Sequence, residues 1–159
     1  AYLIRGSGHN KLGGYTENAD EYVEVVDRLR RKFDTAAELV PEPVTETLNK
    51  SSCVIVTLGS CDGAVRETRS KLAADGVQTD YMRIRAFPFS KSVVKFLAGY
   101  SQVFVVEQNR DAQFCNLLQT EAGVSVDKLI PILSYGGMPI ACEDIYGPIL
   151  EKISQGKAA

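Results

Sequence analysis

Cys53-Val54-Ile55-Val56-Thr57-Leu58, followed at once by Gly59-Ser60-Cys61-Asp62-Gly63, decides the fold of this chain. The first six residues are apolar and largely β-branched, which fits a strand buried on both faces and is too short for a helix. Gly59-Ser60 ends the run. Residues 62–75 then place Ala64, Val65, Thr68, Leu72 and Ala73 at helical spacing, with Gly76 positioned as a C-terminal cap. A strand buried on both faces and followed by an amphipathic helix is the first half of a parallel-sheet unit.

The same alternation continues toward the C-terminus. Residues 79–84 read as a second strand, and Pro88 breaks the chain. Ser90 is placed to cap a helix that buries Val93, Val94, Phe96 and Leu97. Residues 102–106 form the third strand. Residues 110–121 form a helix with Phe114, Cys115, Leu117 and Leu118 inward. Residues 129–133 form the fourth strand. Pro131 lies inside that last run, and a residue that cannot donate to a ladder belongs at a sheet edge. A closing helix over 143–154 presents Ile145, Ile149 and Ile153, and Pro148 is expected to bend it or mark its start. The pattern predicts a three-layer α/β/α sandwich with a mainly parallel sheet of four or five strands and right-handed crossovers.

Residues 1–50 differ in kind from 51–159, the α/β domain. They hold a glycine-rich lead-in, with a short strand expected at Tyr2–Ile4, then an amphipathic helix and a connector opened by Pro41 and Pro43. Asn18 and Glu21 make a capping box. The helix behind them sets Tyr22, Val25, Val26, Leu29, Phe33 and Ala36 on one stripe for burial, either on the sheet or against something outside this chain.

Composition narrows the function classes. The 159 residues suffice for one sizeable core; 45% are hydrophobic and 24% charged, the balance of a globular domain. The formal charge is −2 and the basic residues are dispersed, which argues against nucleic acid as a partner. No stretch reaches the length of a membrane span and no signal peptide opens the chain. Cys53, Cys61, Cys115 and Cys142 contain no C-x-x-C pair, a spacing suited to a reducing cytoplasmic setting. The chain begins at Ala1 without an initiator methionine, so we expect a piece of something longer.

Several constellations invite chemistry. Gly6–Gly14 lacks the dinucleotide fingerprint, and Gly14-Tyr15 stands where a phosphate loop needs Lys-Ser/Thr. A loop shaped by positive φ at its glycines is the better reading. His9 is the only histidine, and no nucleophile can be assigned to it, so neither a catalytic nor a metal constellation emerges. If the strand order is 2-1-3-4, the loops Gly59–Gly63 and Glu107–Gln113 flank one crevice at the carboxyl edge. Ser60, Asp62, Glu107, Asn109 and Arg110 are its candidate residues. They either hold a small anion or merely cap helices. Arg28-Leu29-Arg30-Arg31-Lys32 reads as a solvated helix face, with Glu24 and Asp27 four residues ahead of Arg28 and Arg31. Arg83–Phe89 (RIRAFPF) carries the residue types of a subunit interface.

Taken in order, GSGHNKLGGYTEN (6–18), DRLRRKF (27–33), VTLGSCDGAVRE (56–67), RIRAFPF (83–89) and VFVVEQNRDAQ (103–113) resemble the alpha subunit of 2-oxoacid:ferredoxin oxidoreductases, most closely the 2-oxoglutarate type. The resemblance runs from about Arg5 to Ile145. It implies a domain like the C-terminal domain of transketolase, belonging to an enzyme that oxidatively decarboxylates a 2-oxoacid on thiamine diphosphate, transfers the acyl group to coenzyme A and reduces ferredoxin. Thiamine diphosphate, Mg2+, the iron–sulfur cluster and CoA are then expected only in the complete enzyme. The beta subunit is the expected partner, and ferredoxin is met through the whole assembly. No catalytic, cofactor or metal residue carries over to this chain. His9, Asn10, Arg85, Phe87 and Pro88 are the interface candidates. The alternative is a free-standing α/β module that binds a small anionic ligand between loops 59–63 and 107–111.

Overall fold

In the computed structural model, residues 6–48 and 51–157 are described. The strand expected at Tyr2–Ile4 lies outside them. The chain divides into two compact units, Ala1–Leu39 and Val40–Ala159.

The first unit is a turn-rich loop leading into helix α1 (Ala19–Leu39). Asn18 Oδ1 accepts the backbone N–H groups of Asp20 at 2.9 Å and Glu21 at 3.3 Å, which caps the helix. The box is not reciprocal as expected, because the Asn18 N–H donates to Thr16 Oγ1. Of the stripe expected to be inward, Val25 is buried, whereas Tyr22, Val26, Leu29 and Phe33 are exposed. Helical periodicity identifies the apolar face; it does not supply the surface that covers it. In the lead-in loop only Gly13 has positive φ (+82°), so most of its glycines do not need the left-handed region. Gly8 serves closeness instead, since a Cβ there would lie 3.2 Å from the Thr16 carbonyl oxygen.

The second unit is built on one five-stranded sheet of β1 (Val44–Glu46), β2 (Cys53–Leu58), β3 (Asp80–Ile84), β4 (Gln102–Glu107) and β5 (Leu129–Leu133). The order is β1-β3-β2-β4-β5, with β1 antiparallel and the other neighbours parallel. The 2-1-3-4 order on which the crevice depends is present, and Val44–Glu46 adds the fifth strand at one edge. Pro131 sits exposed on edge strand β5, where its missing N–H costs no ladder bond.

Helices α2 (Asp62–Ala74), α3 (Lys91–Ala98), α4 (Gln113–Ala122) and α5 (Cys142–Lys157) form the outer layers. The chain steps one way from β2 to β3 and back across the sheet from β3 to β4 and β5. Right-handed crossovers therefore put α2 on one face and α3 and α4 on the other. Strand alternation feeds both layers. Val54, Val56, Met82, Val103 and Val105 pack with Val93, Leu97, Phe114 and Leu118 on one side. Ile55, Tyr81, Phe104 and Val106 pack with Val65, Leu72, Ile145 and Ile149 on the other. Each such buried aliphatic side chain contributes roughly 1.5–3 kcal/mol relative to exposure, so the two central strands β2 and β4 anchor both cores.

Four local expectations are corrected or narrowed. Val94 is exposed on α3. Ser90 precedes α3 without a side-chain cap; its hydroxyl bonds Glu42 Oε2 and Ser92 Oγ instead. Helix α4 starts at Gln113 and not at residue 110, because Ala112 adopts φ 51° and holds the preceding residues in a turn. Pro148 lies inside α5 and does not mark its start.

Candidate functional site

The loops that leave β2 and β4 at the reversal of strand order enclose a crevice of about 430 Å³. Ser60, Cys61, Glu107, Gln108 and Asn109 line it, backed by Phe114 and Leu117. Gly59 takes φ +60° at the end of β2 and starts a short 3-10 turn (Gly59–Cys61) that runs into α2. The left-handed value is one that glycine adopts without the Cβ clash other residues meet. The turn carries Ser60 toward the β4 loop, where its hydroxyl lies 3.5 Å from Gln108 Oε1.

Glu107 decides the electrostatics of this crevice. It ends β4, is 3% exposed, and turns its carboxylate back onto the start of α4. The N–H of Phe114 donates to Oε2 at 2.8 Å and the N–H of Cys115 to Oε1 at 3.0 Å, while the Asn109 side-chain amide donates to Oε2. Glu107 is therefore an internal anion at a helix N-terminus, where the unpaired N–H groups and the macrodipole favour negative charge. Asn109 Oδ1 accepts from Asp111 N at 3.0 Å and Gln113 N at 3.1 Å, which holds the turn in front of the helix.

The remaining candidates separate. Asp62 faces away from the crevice. It accepts the Tyr81 hydroxyl and pairs with Arg66 (Nε–Oδ1 3.0 Å) and Arg83 (Nη1–Oδ2 3.6 Å). Tyr81, followed by the two guanidinium groups, holds the Asp62 carboxyl below its ordinary value of 3.8. The same contact, after burial, pushes the Tyr81 hydroxyl well up. Arg110 extends into solvent against Asp111 at 2.7 Å. Cys61 and Cys115 lie near Glu107, and burial above all raises both thiols, so neither is poised as a thiolate nucleophile.

Gln108 is the crevice residue that the sequence reading did not single out. Its Oε1 accepts from Ser60 and Cys61, and its Nε2 donates to the Met138 carbonyl at 3.3 Å. One side chain thus ties together the loops that follow β2, β4 and β5. The only signal was its place directly after a strand end.

The other candidates sit on two loops. Arg85 is exposed, and its Nε donates to the Glu42 carbonyl at 2.7 Å. Phe87 is 46% exposed, precedes the cis peptide bond to Pro88, and meets Phe89 edge-on at a centroid distance of 5.3 Å. In the other unit, His9 bridges Tyr15 and places Nδ1 2.8 Å from the Asn10 carbonyl oxygen. Asn10 Oδ1 accepts from Leu12 N and Gly14 N, so both residues shape their own loop.

The donor set limits what the crevice can hold. A diphosphate placed in the crevice would meet the Glu107 carboxylate, with α4's leading N–H groups already taken. Among the described residues no three His, Cys, Asp or Glu side chains are grouped to hold a metal ion, and the four free cysteines are buried.

Fold and crevice together define a doubly wound α/β domain with an open switch-point crevice lined by Ser60, Glu107, Gln108 and Asn109. No family model matches the chain. Over 96% of its length it is 25% identical to the 2-oxoacid:ferredoxin oxidoreductase subunit alpha of Saccharolobus solfataricus, and it spans 24% of that subunit. A chain of the 2-oxoglutarate:ferredoxin oxidoreductase from Magnetococcus marinus, solved with 2-oxoglutarate, coenzyme A and succinyl-CoA bound, has the same fold. It matches over 96% of this chain with a TM-score of 0.78 and 24% identity, and 27% of it is covered. The alpha chain of a probable 2-oxoacid ferredoxin oxidoreductase from Thermoplasma acidophilum matches 71% of this chain, and 97% of its own length, with a TM-score of 0.49 and 23% identity. The similarity to alpha subunits read from the motifs thus extends along nearly the whole chain, which spans about a quarter of the curated relative.

Proposed function

We propose that the chain acts as the C-terminal domain of the alpha subunit of a thiamine-diphosphate-dependent 2-oxoacid:ferredoxin oxidoreductase, like the C-terminal domain of transketolase. Its role there is structural: it supports subunit assembly and carries out no chemistry alone. The observation that carries this reading is similarity to an alpha subunit over 96% of this chain but only 24% of that subunit. In the complete enzyme, 2-oxoglutarate, CoA and oxidised ferredoxin give succinyl-CoA, CO2 and reduced ferredoxin. Thiamine diphosphate, Mg2+, the iron–sulfur cluster and CoA are held by other parts of that assembly, and the beta subunit is the direct partner. Four free, buried cysteines support a cytoplasmic setting, and none of the described helices is long and apolar enough to cross a membrane.

What this chain's own residues do is hold the sheet edge in one shape. Glu107 fixes α4, Gln108 joins three loops, and Asn109 holds the turn between β4 and α4. The test is the intact mass of the native polypeptide carrying this sequence, purified untagged from its source. The reading expects a mass well above 17.4 kDa and a second subunit that co-purifies. A chain of 17.4 kDa travelling alone would overturn it.

A further inference from the structure

Across Gly59 from the crevice lies a second cavity, of about 510 Å³, at the carboxyl ends of β2 and β3. Its floor is Ile84, Phe89 and Leu117, and its rim is Leu58 and Phe87, which are 43% and 46% exposed. No acidic side chain lines it among the described residues, in contrast to the crevice, which contains Glu107. Two arginines border it. Arg83 is engaged by Asp62 and by the Gly59 carbonyl at 3.4 Å. Arg85 is held only through Nε, on the Glu42 carbonyl, and both of its terminal nitrogens lack a partner among the described residues. The aromatic wall is equally fixed: Phe87 stands edge-on to Phe89, and Phe89 packs 6.4 Å from Phe114.

We propose that this groove docks an extended segment of a partner polypeptide in which a large apolar side chain adjoins an Asp or Glu. The apolar side chain enters between Leu58 and Phe87 and rests on Phe89. The carboxylate takes the free fork of Arg85, a geometry that guanidinium offers bidentately. Charge selects this occupant, because the groove has an unpaired cation and no anion at its lining. A polypeptide fits better than a small acid, which would leave the half-exposed rim wet. Pre-positioned aromatic and arginine anchors are also the residue types that dominate protein interfaces. The proposal rests on the assembly reading only in requiring some partner chain.

The test is a titration of the full 15N-labelled chain, followed by amide NMR, with the end-capped pentapeptide Gly-Phe-Leu-Asp-Gly and with its Asp-to-Lys counterpart. The acidic peptide is expected to saturate with a Kd on the order of 1 mM, an affinity of about −4 kcal/mol. Shifts should centre on Gly59, Arg85 and Phe87, and the lysine peptide should bind at least about tenfold more weakly. Arg85→Gln should abolish that preference and Arg85→Lys retain part of it. Phe87→Ala should weaken both peptides, and the surface variants at Arg85 decide the matter if Phe87→Ala does not fold. Equal binding of the two peptides, shifts elsewhere, no binding, or equal affinity for free 3-phenylpropionate would each overturn the proposal. A failed titration with a subunit still co-purifying overturns the groove alone; a successful one with no co-purifying subunit overturns the assembly reading alone.

Discussion

Glu107→Gln is the sharpest perturbation of the sheet edge, because one oxygen must then replace two. In the native chain the carboxylate accepts two α4 backbone N–H groups, at 2.8 and 3.0 Å, together with the Asn109 amide. A glutamine keeps one acceptor and turns an NH2 toward the other N–H, leaving a buried donor facing a donor. Hydrogen bonds to a charged group are worth roughly 1.5–3 kcal/mol, and an unsatisfied buried N–H costs about 1–3 kcal/mol. Loss of the negative charge at the helix start removes a further ~0.3–1 kcal/mol, and relief of carboxylate desolvation returns part of the total. The net expectation is a loss of about 2–3 kcal/mol, or a fall in Tm of about 5–10 °C for a chain of this size. Urea unfolding followed by circular dichroism should show a lower midpoint with an unchanged m-value. Hydrogen exchange at the Phe114 and Cys115 amides should accelerate more than at Leu118, because the first turn of α4 loosens before its centre. A variant within about 0.5 kcal/mol of the parent, with those two amides as protected as before, would refute Glu107 as the cap of α4.

Two further outcomes follow from the ionisable groups. Tyr81 holds Asp62 below 3.8, and Arg69 foremost holds Glu46 below 4.5. Carboxylates with depressed folded pKa values stabilise the chain above the unfolded value, and that contribution is lost as pH falls through the folded one. Tm should therefore drop as pH is taken below about 4, and Asp62→Asn should flatten the drop; an identical acid profile would count against the Tyr81–Asp62 contact. Burial pushes the Cys61 and Cys115 thiols up. Iodoacetamide at pH 8 should accordingly label the folded chain at least about 100-fold more slowly than the urea-unfolded chain, and rapid modification of Cys61 would show that the crevice is open and activating.

The 2-1-3-4 order was a condition that only the tertiary structure met; the sequence by itself determined the strand–helix alternation, the edge position of Pro131 and the loops that follow the strands. Those features depend on local periodicity and on the handedness of crossovers, and both are written in short stretches such as Cys53–Leu58. Given that order, Ser60, Glu107 and Asn109 come to one place, because the ends of β2 and β4 lie side by side. What lies across space was not legible. Whether Tyr22, Val26, Leu29 and Phe33 find cover depends on a second surface, and periodicity carries no information about it. The antiparallel strand at Val44–Glu46 is too short for a pattern and exists because β3 offers it an edge. Asp62 and Glu107 look alike as acids in strand-end loops. The tertiary structure alone gave one to Tyr81 and two arginines and the other to the N-terminus of α4, since a carboxylate's role is set by the donors that fold against it.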